Sequence, residues 1–364
     1  MMWLKLVFLF LMTLVSIEMS HISDLLNTHP TWSFELESVE SLIKRGMSEL
    51  RRIHPDVEIS ENILRTKIAK HFGPGTTHVA RKTGDPKWPE RVPQSFDSRD
   101  HFKECAHLIE DIEDEGPCYN EVHVMVSSVA SDRYCIYTNA TFRDHLSSEY
   151  LTGCYSSCTR HQYIYPTWKK VVQVGVPSGG KYHSNKGCLP YEHAPCKHTA
   201  NDYTARLTTK TERSVQKGGG LKSCDEYMAY DHDCPTKCSN SKYPVRLEDD
   251  MKKMTTYYQL SRFEYQIRND IYAYGPAVSD IFLYSDFFDY KSGLYNKSTN
   301  AALLSYNKLI KLIGWGTTED GTPYWLAMNE WAGWADDKKV FKFPRGVDFL
   351  WAESFTSTGV YDPL

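Results

Sequence analysis

The sequence lacks a strong excess of either charge. Its 42 Lys and Arg against 46 Asp and Glu leave a formal −4, which gives no electrostatic footprint for nucleic acid. It has no dinucleotide fingerprint and no P-loop. The triple glycine at 218–220 stands outside any strand–loop–helix context and reads as a loop. No internal repeat of fixed period occurs. Long hydrophobic runs are absent but for one, Leu6 to Ile17 within MMWLKLVFLFLMTLVSIEM. That run is too short to cross a bilayer comfortably and fits the apolar core of a signal peptide, so residues 1–19 are read as a leader. With no second such run, the mature chain is expected not to span a membrane. Cysteine is missing from residues 20–90, then crowded: all ten fall between Cys105 and Cys238.

A chain with a leader is bound for an oxidising compartment, where cysteines pair rather than ligate metal. The spacings Cys154-x3-Cys158 and Cys234-x3-Cys238 are therefore read as disulfide positions and not as a zinc site. His232, between Asp231 and Asp233, reads as a solvated loop residue. No metal and no cofactor is expected. The sequons at Asn139 and Asn296 fit a secretory route, extracellular or lysosomal. With 41% hydrophobic and 24% charged residues over 364 positions, a sizeable core is available. In the N-terminal region Trp32, Leu36, Val39, Leu42, Ile43, Met47 and Leu50 fall at helical spacing. A Pro/Gly-rich connector follows, then a cysteine-bearing part that mixes helix with long loops. From about 245 onward, aromatic and β-branched runs separated by turn signals predict a β-rich lobe.

Several stretches together resemble the cathepsin B-like proteases of the papain family. They are VPQSFDSRDHFKEC at 92–105, DEGPC at 114–118, SDRYCIYTNA at 131–140 and GGKYHSNKGCLPYEHAPCKH at 179–198. To these add YGPAVSDIFLYSDFFDYKSGLY at 274–295 and LIGWGTTEDGTPYWLAMNEWAGW at 312–334. The resemblance implies an α+β fold of two lobes, a helical left lobe and a β-barrel right lobe, over residues 92–364. Residues 20–91 would then be a propeptide-like region. A long central helix would begin near Asn120, a good N-cap residue, with Val122, Val126, Val129 and Ala130 on one face. His123, one turn into it, reads as a packed core histidine.

Counting from Cys118, the resemblance puts Glu121 at the nucleophile. Counting back from Gly314-Trp315-Gly316, it puts Lys308 at the catalytic histidine. Glu115 stands where a glutamine would help bind the oxyanion. Asn329 is retained, but the serine after it has become Glu330, and no glycine of the substrate platform remains around Arg160 to Pro166. Of the two occluding-loop histidines only His198 is present, and the acidic floor of the S2 pocket corresponds to Phe355. His198, Trp331 and Phe355 are the expected binding positions. The implied disulfides are Cys105–Cys135, Cys154–Cys158, Cys188–Cys238 and Cys196–Cys224. Cys118 and Cys234 are left as orphans, because their family partners correspond to Gln162 and Gly153; they either stay free thiols, the favoured expectation, or bridge each other.

Glutamate is a poor nucleophile toward an amide, and a lysine with an ordinary pKa near ~10.4 is a poor proton shuttle. Glu121 and Lys308 are either drifted surface residues or an ion pair in place of the dyad, with Glu115 competing for the lysine. Two functions fit: a monomeric inactive homologue that binds peptides, propeptides or protease inhibitors, or a repurposed hydrolase using Glu121 as general base through water.

Overall fold

The computed structural model describes residues 33–53, 60–85, 87–158, 160, 162–200, 221–224, 230–336 and 338–361. The expected leader and Trp32 lie outside them. The chain enters as strand β1 (Ser33–Ser38), followed by helices α1 (Val39–Ile53) and α2 (Glu61–Phe72) and strand β2 (His78–Gly84). The helical pattern expected from Trp32 through Leu50 therefore starts late. Residues 33–38 pair antiparallel with β2, and Leu36 is solvent-exposed. The Ser38 hydroxyl accepts from the Ser41 backbone N–H at 3.1 Å and marks the true helix start.

The left lobe is built on α3 (Glu121–Tyr137), flanked by α4 (Ser148–Tyr155) and α5 (Ile164–Gln173). The anticipated apolar face is present, but burial extends around the helix, taking in Val124, Met125, Ser131, Asp132 and Arg133. A helix covered on all sides is a core element, not a surface one. His123 is buried, with Nδ1 3.0 Å from the Thr152 hydroxyl.

The right lobe is one large sheet. Its remaining strands are β3 (Phe96–Asp97), β4 (Thr256–Leu260), β5 (Ala277–Tyr284), β6 (Leu303–Thr317), β7 (Pro323–Met328), β8 (Val340–Pro344) and β9 (Thr356–Val360). The order is β1-β2-β4-β9-β5-β6-β7-β8, with β3 on β6. Hydrogen bonding does not close this sheet, so the expected barrel is an open, curved sheet. Its β1 end is supplied by the N-terminal region, β2 running parallel to β4. Leu42, Ile43, Leu64, Ile68 and Phe72 share one apolar core with Tyr258, Trp351 and Phe355.

All ten cysteines are paired. Cys105–Cys135, Cys188–Cys238 and Cys196–Cys224 are as anticipated. Cys154–Cys158 is not formed, and neither Cys118 nor Cys234 is an orphan: the bonds are Cys118–Cys158 and Cys154–Cys234. The reason lies at the end of α4. Its last turn lies against the 231–234 loop, where a Cβ on Gly153 would sit 3.2 Å from the Asp233 carbonyl, so Cys154 takes the partner that Gly153 cannot. Cys158, past the helix end, comes within 4.5 Å (Cα to Cα) of Cys118. The sequon residues Asn139 and Asn296 are both exposed.

Candidate functional site: a charged cluster at the lobe interface

Lys308 lies in the middle of β6, paired with Ile281 of β5, and its side chain is fully buried. Its ammonium donates to Glu121 Oε1 from the left lobe and to Glu330 Oε1 just beyond β7. The Trp331 ring centroid lies 4.4 Å from Nζ. Glu121 is the first residue of α3, where a negative charge is favoured by the helix dipole; its Oε1 also accepts from the Leu309 backbone N–H at 2.9 Å. Lys308 is thus not a surface residue, and its side chain meets that of Glu121.

The second carboxylate that hydrogen-bonds the lysine is Glu330. The Glu115 carboxylate instead accepts from the Glu121 backbone N–H at 3.2 Å and takes over the capping role. Asn120 occupies the N-cap position but turns its side chain to Thr152 (2.8 Å) and Tyr191 (2.8 Å). Glu330 could have been foreseen as a partner: an acidic residue replacing the serine beside Asn329 needs a cation, and Lys308 is the one the motif counting brings there. Both amide atoms of Asn329 lack a hydrogen-bond partner among the described residues.

Burial alone would lower the Lys308 pKa, but Glu121, Glu330 and Glu115 outweigh it and raise it above the ordinary value. A lysine held as ammonium cannot take a proton from a nucleophile. Glu330 is pushed up to about 7, by burial first and by Glu121 next, against the opposing pull of Lys308. Glu115, which motif counting put at the oxyanion-binding position, is buried. Among the described residues, Cys158 Sγ lies 3.4 Å from His193 Nε2, and His198 lies within 4.8 Å of the sulfurs of Cys196 and Cys224, which are bonded to each other. The Cys158 sulfur is bonded to Cys118, so none of the three is a thiolate.

The remaining expected positions are also engaged internally. His198 Nε2 lies 3.1 Å from Asp114 Oδ1, and its ring stacks on Trp331 at 5.3 Å. Asp114 Oδ2 accepts from the Ala332 N–H at 2.6 Å. Phe355 is buried, and residues of α2 cover it: His71 at 5.0 Å and Phe72 at 6.0 Å between ring centroids, with Lys67 Nζ 4.9 Å above its ring. Phe72 also packs on Tyr165, at 4.9 Å, in the stretch that replaces the substrate platform.

The family profile described as "Papain family cysteine protease" matches residues 92–356. The chain belongs to the papain family. Cathepsin B-like cysteine proteinase 4 of Caenorhabditis elegans is 29% identical over 307 residues, covering 83% of this chain and 84% of that protein. Cathepsin B-like cysteine proteinase 5 of the same organism is 30% identical over 280 residues, covering 75% and 76%. The solved structure titled "proCathepsin B S9 from Trypanosoma congolense" matches with a TM-score of 0.61 at 22% identity, covering 90% of this chain and 100% of that one. This papain-family member therefore keeps the cathepsin B-like fold while placing a Glu–Lys–Glu cluster at the positions that motif counting assigned to the dyad and its surroundings. Among its described residues no helix is long and apolar enough to cross a membrane.

Proposed function

We propose that this protein is a catalytically inactive cathepsin B-like homologue whose cleft binds extended peptide segments, propeptides or protease inhibitors without cleaving them. The observation that carries this reading is the Lys308 ammonium clamped between Glu121 and Glu330, in a chain whose ten cysteines are all in disulfides. Thiol attack needs a thiolate and a base, and the cleft offers neither. A hydrolase using Glu121 as general base is disfavoured, because Oε1 already accepts from Lys308 and Leu309.

The chain supplies its own first occupant. Residues of α2 fill the apolar S2-like position at Phe355, which favours residues 20–91 as a propeptide-like region that stays docked. Residence in the secretory pathway, extracellular or lysosomal, is supported by five disulfides and two exposed sequon asparagines. The test is to incubate the purified chain with a cystatin-type inhibitor and with propeptide-derived peptides, measuring binding by calorimetry and recovering each ligand for mass analysis. Saturable binding with intact ligand is the expected result. Cleaved peptide whose formation depends on Glu121 would replace this reading with the hydrolase.

A further inference from the structure

Beside α4, three side chains far apart in sequence converge. Glu149 belongs to α4, His193 to the segment before Cys196, and His232 to the loop that Cys234 ties to Cys154. A carboxylate oxygen of Glu149 and one ring nitrogen each of His193 and His232 lie within 4.8 Å of one another. Glu149 Oε1, His193 Nδ1 and His232 Nε2 are shielded from solvent and have no hydrogen-bond partner among the described residues. The Glu149–His232 approach of 3.8 Å is too long for a hydrogen bond. Three residues this close, each with a shielded acceptor that lacks a partner, are a costly arrangement unless a cation completes it.

We propose that Glu149, His193 and His232 form a binding site for a divalent transition-metal ion, zinc in the first instance. Two imidazoles and one carboxylate are an established donor set for zinc, with bonds of about 2.0–2.2 Å and tetrahedral ligands roughly 3.3 Å apart. Small side-chain rotations bring the present separations to that value. The outer partners are also in place. His232 Nδ1 lies 3.3 Å from Glu192 Oε2, the carboxylate–histidine pairing that orients a metal ligand. The other Glu149 oxygen accepts from the Glu192 backbone N–H at 3.2 Å, leaving Oε1 for the ion. His193 is steadied through Nε2 at Cys158. The His232 side chain is 24% exposed, so an ion enters from that side and a water can take the fourth position. Reading His232 from sequence as a solvated loop residue missed this, because its neighbours in space are its neighbours nowhere in the chain. The ion would clamp the 230–234 loop onto α4 and the 191–196 segment, beside the Cys154–Cys234 bond.

The experiment uses the untagged full chain, stripped with chelator and titrated with Zn²⁺ alone, then with Co²⁺ for its visible absorption. One ion per chain is expected, with cobalt bands of four-coordinate geometry. Glu192→Gln should weaken binding about 10–100-fold, and His232→Ala or Glu149→Gln by more than that. The exposed His183→Ala is the control and should bind as wild type. Should Glu149→Gln fail to fold, His232→Ala, on a partly exposed loop, carries the test alone. No stoichiometric binding, or binding indifferent to His232→Ala, overturns the proposal.

Discussion

Three charge clusters tie this molecule together, and the one at the lobe interface is built in the opposite sense to the one at α2. At the lobe interface one cation, Lys308, serves two carboxylates, and one of those, Glu121, is 16% exposed at the cleft. Where α2 meets the sheet, one carboxylate, Asp280, serves Lys67 at 2.7 Å and His71 at 3.1 Å, and all three side chains are fully buried. A second dry cluster sits at β2. Lys82 reaches Asp270 at 3.5 Å, and Asp270 in turn holds Arg133 of α3 at 2.8 Å and the Tyr258 hydroxyl at 2.8 Å. The cleft cluster meets water only at Glu121, while Lys308 and Glu330 are fully buried. The N-terminal clusters are interior structure, linking residues 60–85 to both lobes. The partial exposure of Glu121 separates the cleft cluster from the others, since removing one partner of a fully dry pair leaves a charge that water cannot reach.

The largest effect is therefore expected far from the cleft. Lys67→Met strands Asp280 and should cost about 3–5 kcal/mol in urea unfolding. A loss under about 1 kcal/mol, the exposed-pair value, would mean that α2 is only draped on the sheet. Lys308→Met should cost less, roughly 2–3 kcal/mol, between the buried and exposed limits. It strands Glu121 and Glu330, but the latter can take up a proton.

That proton also predicts a pH dependence. In the unfolded chain Glu330 releases its proton near 4.5, and in the folded protein near 7. Between those values the unfolded state sheds the proton first, so this group's contribution is full below about pH 4.5 and is lost as pH rises through 7. Glu149 and Glu353, also raised to about 7 by burial, act in the same direction. His193 and His123, lowered by burial to about 4 and about 3, act in the opposite one as pH falls below 6.5. The difference between wild type and Glu330→Gln isolates one group. The variant should lose on the order of 2 kcal/mol less than wild type between pH 5 and pH 8. Parallel stability curves would remove Glu330 from the account. Smallest of all, Glu121→Ala should cost about 1 kcal/mol, and its double mutant with Lys308→Met should show a coupling energy.

Much of the cleft was legible because rigid markers flank it. Cys118 on one side and Gly314-Trp315-Gly316 on the other fix the count to Glu121 and Lys308, and the ion pair follows from their chemistry. Other features depended on where elements stop. The disulfide exchange at Cys154 and Cys158 follows from α4 ending at Tyr155, which spacing does not reveal. The strand at 33–38 owes its conformation to pairing with β2, so a helical apolar pattern was overridden by a partner some 45 residues away in sequence. The Glu149–His193–His232 convergence has no local signature at all.

The central claim is that the cleft has lost peptide hydrolysis and kept its fold. Its most direct test is turnover of a dipeptide-releasing cathepsin substrate by the purified chain, with residues 20–91 present and after their removal, each beside Glu121→Ala. The account predicts no turnover above the Glu121→Ala background in either form. Turnover by the wild-type chain that Glu121→Ala abolishes would contradict it.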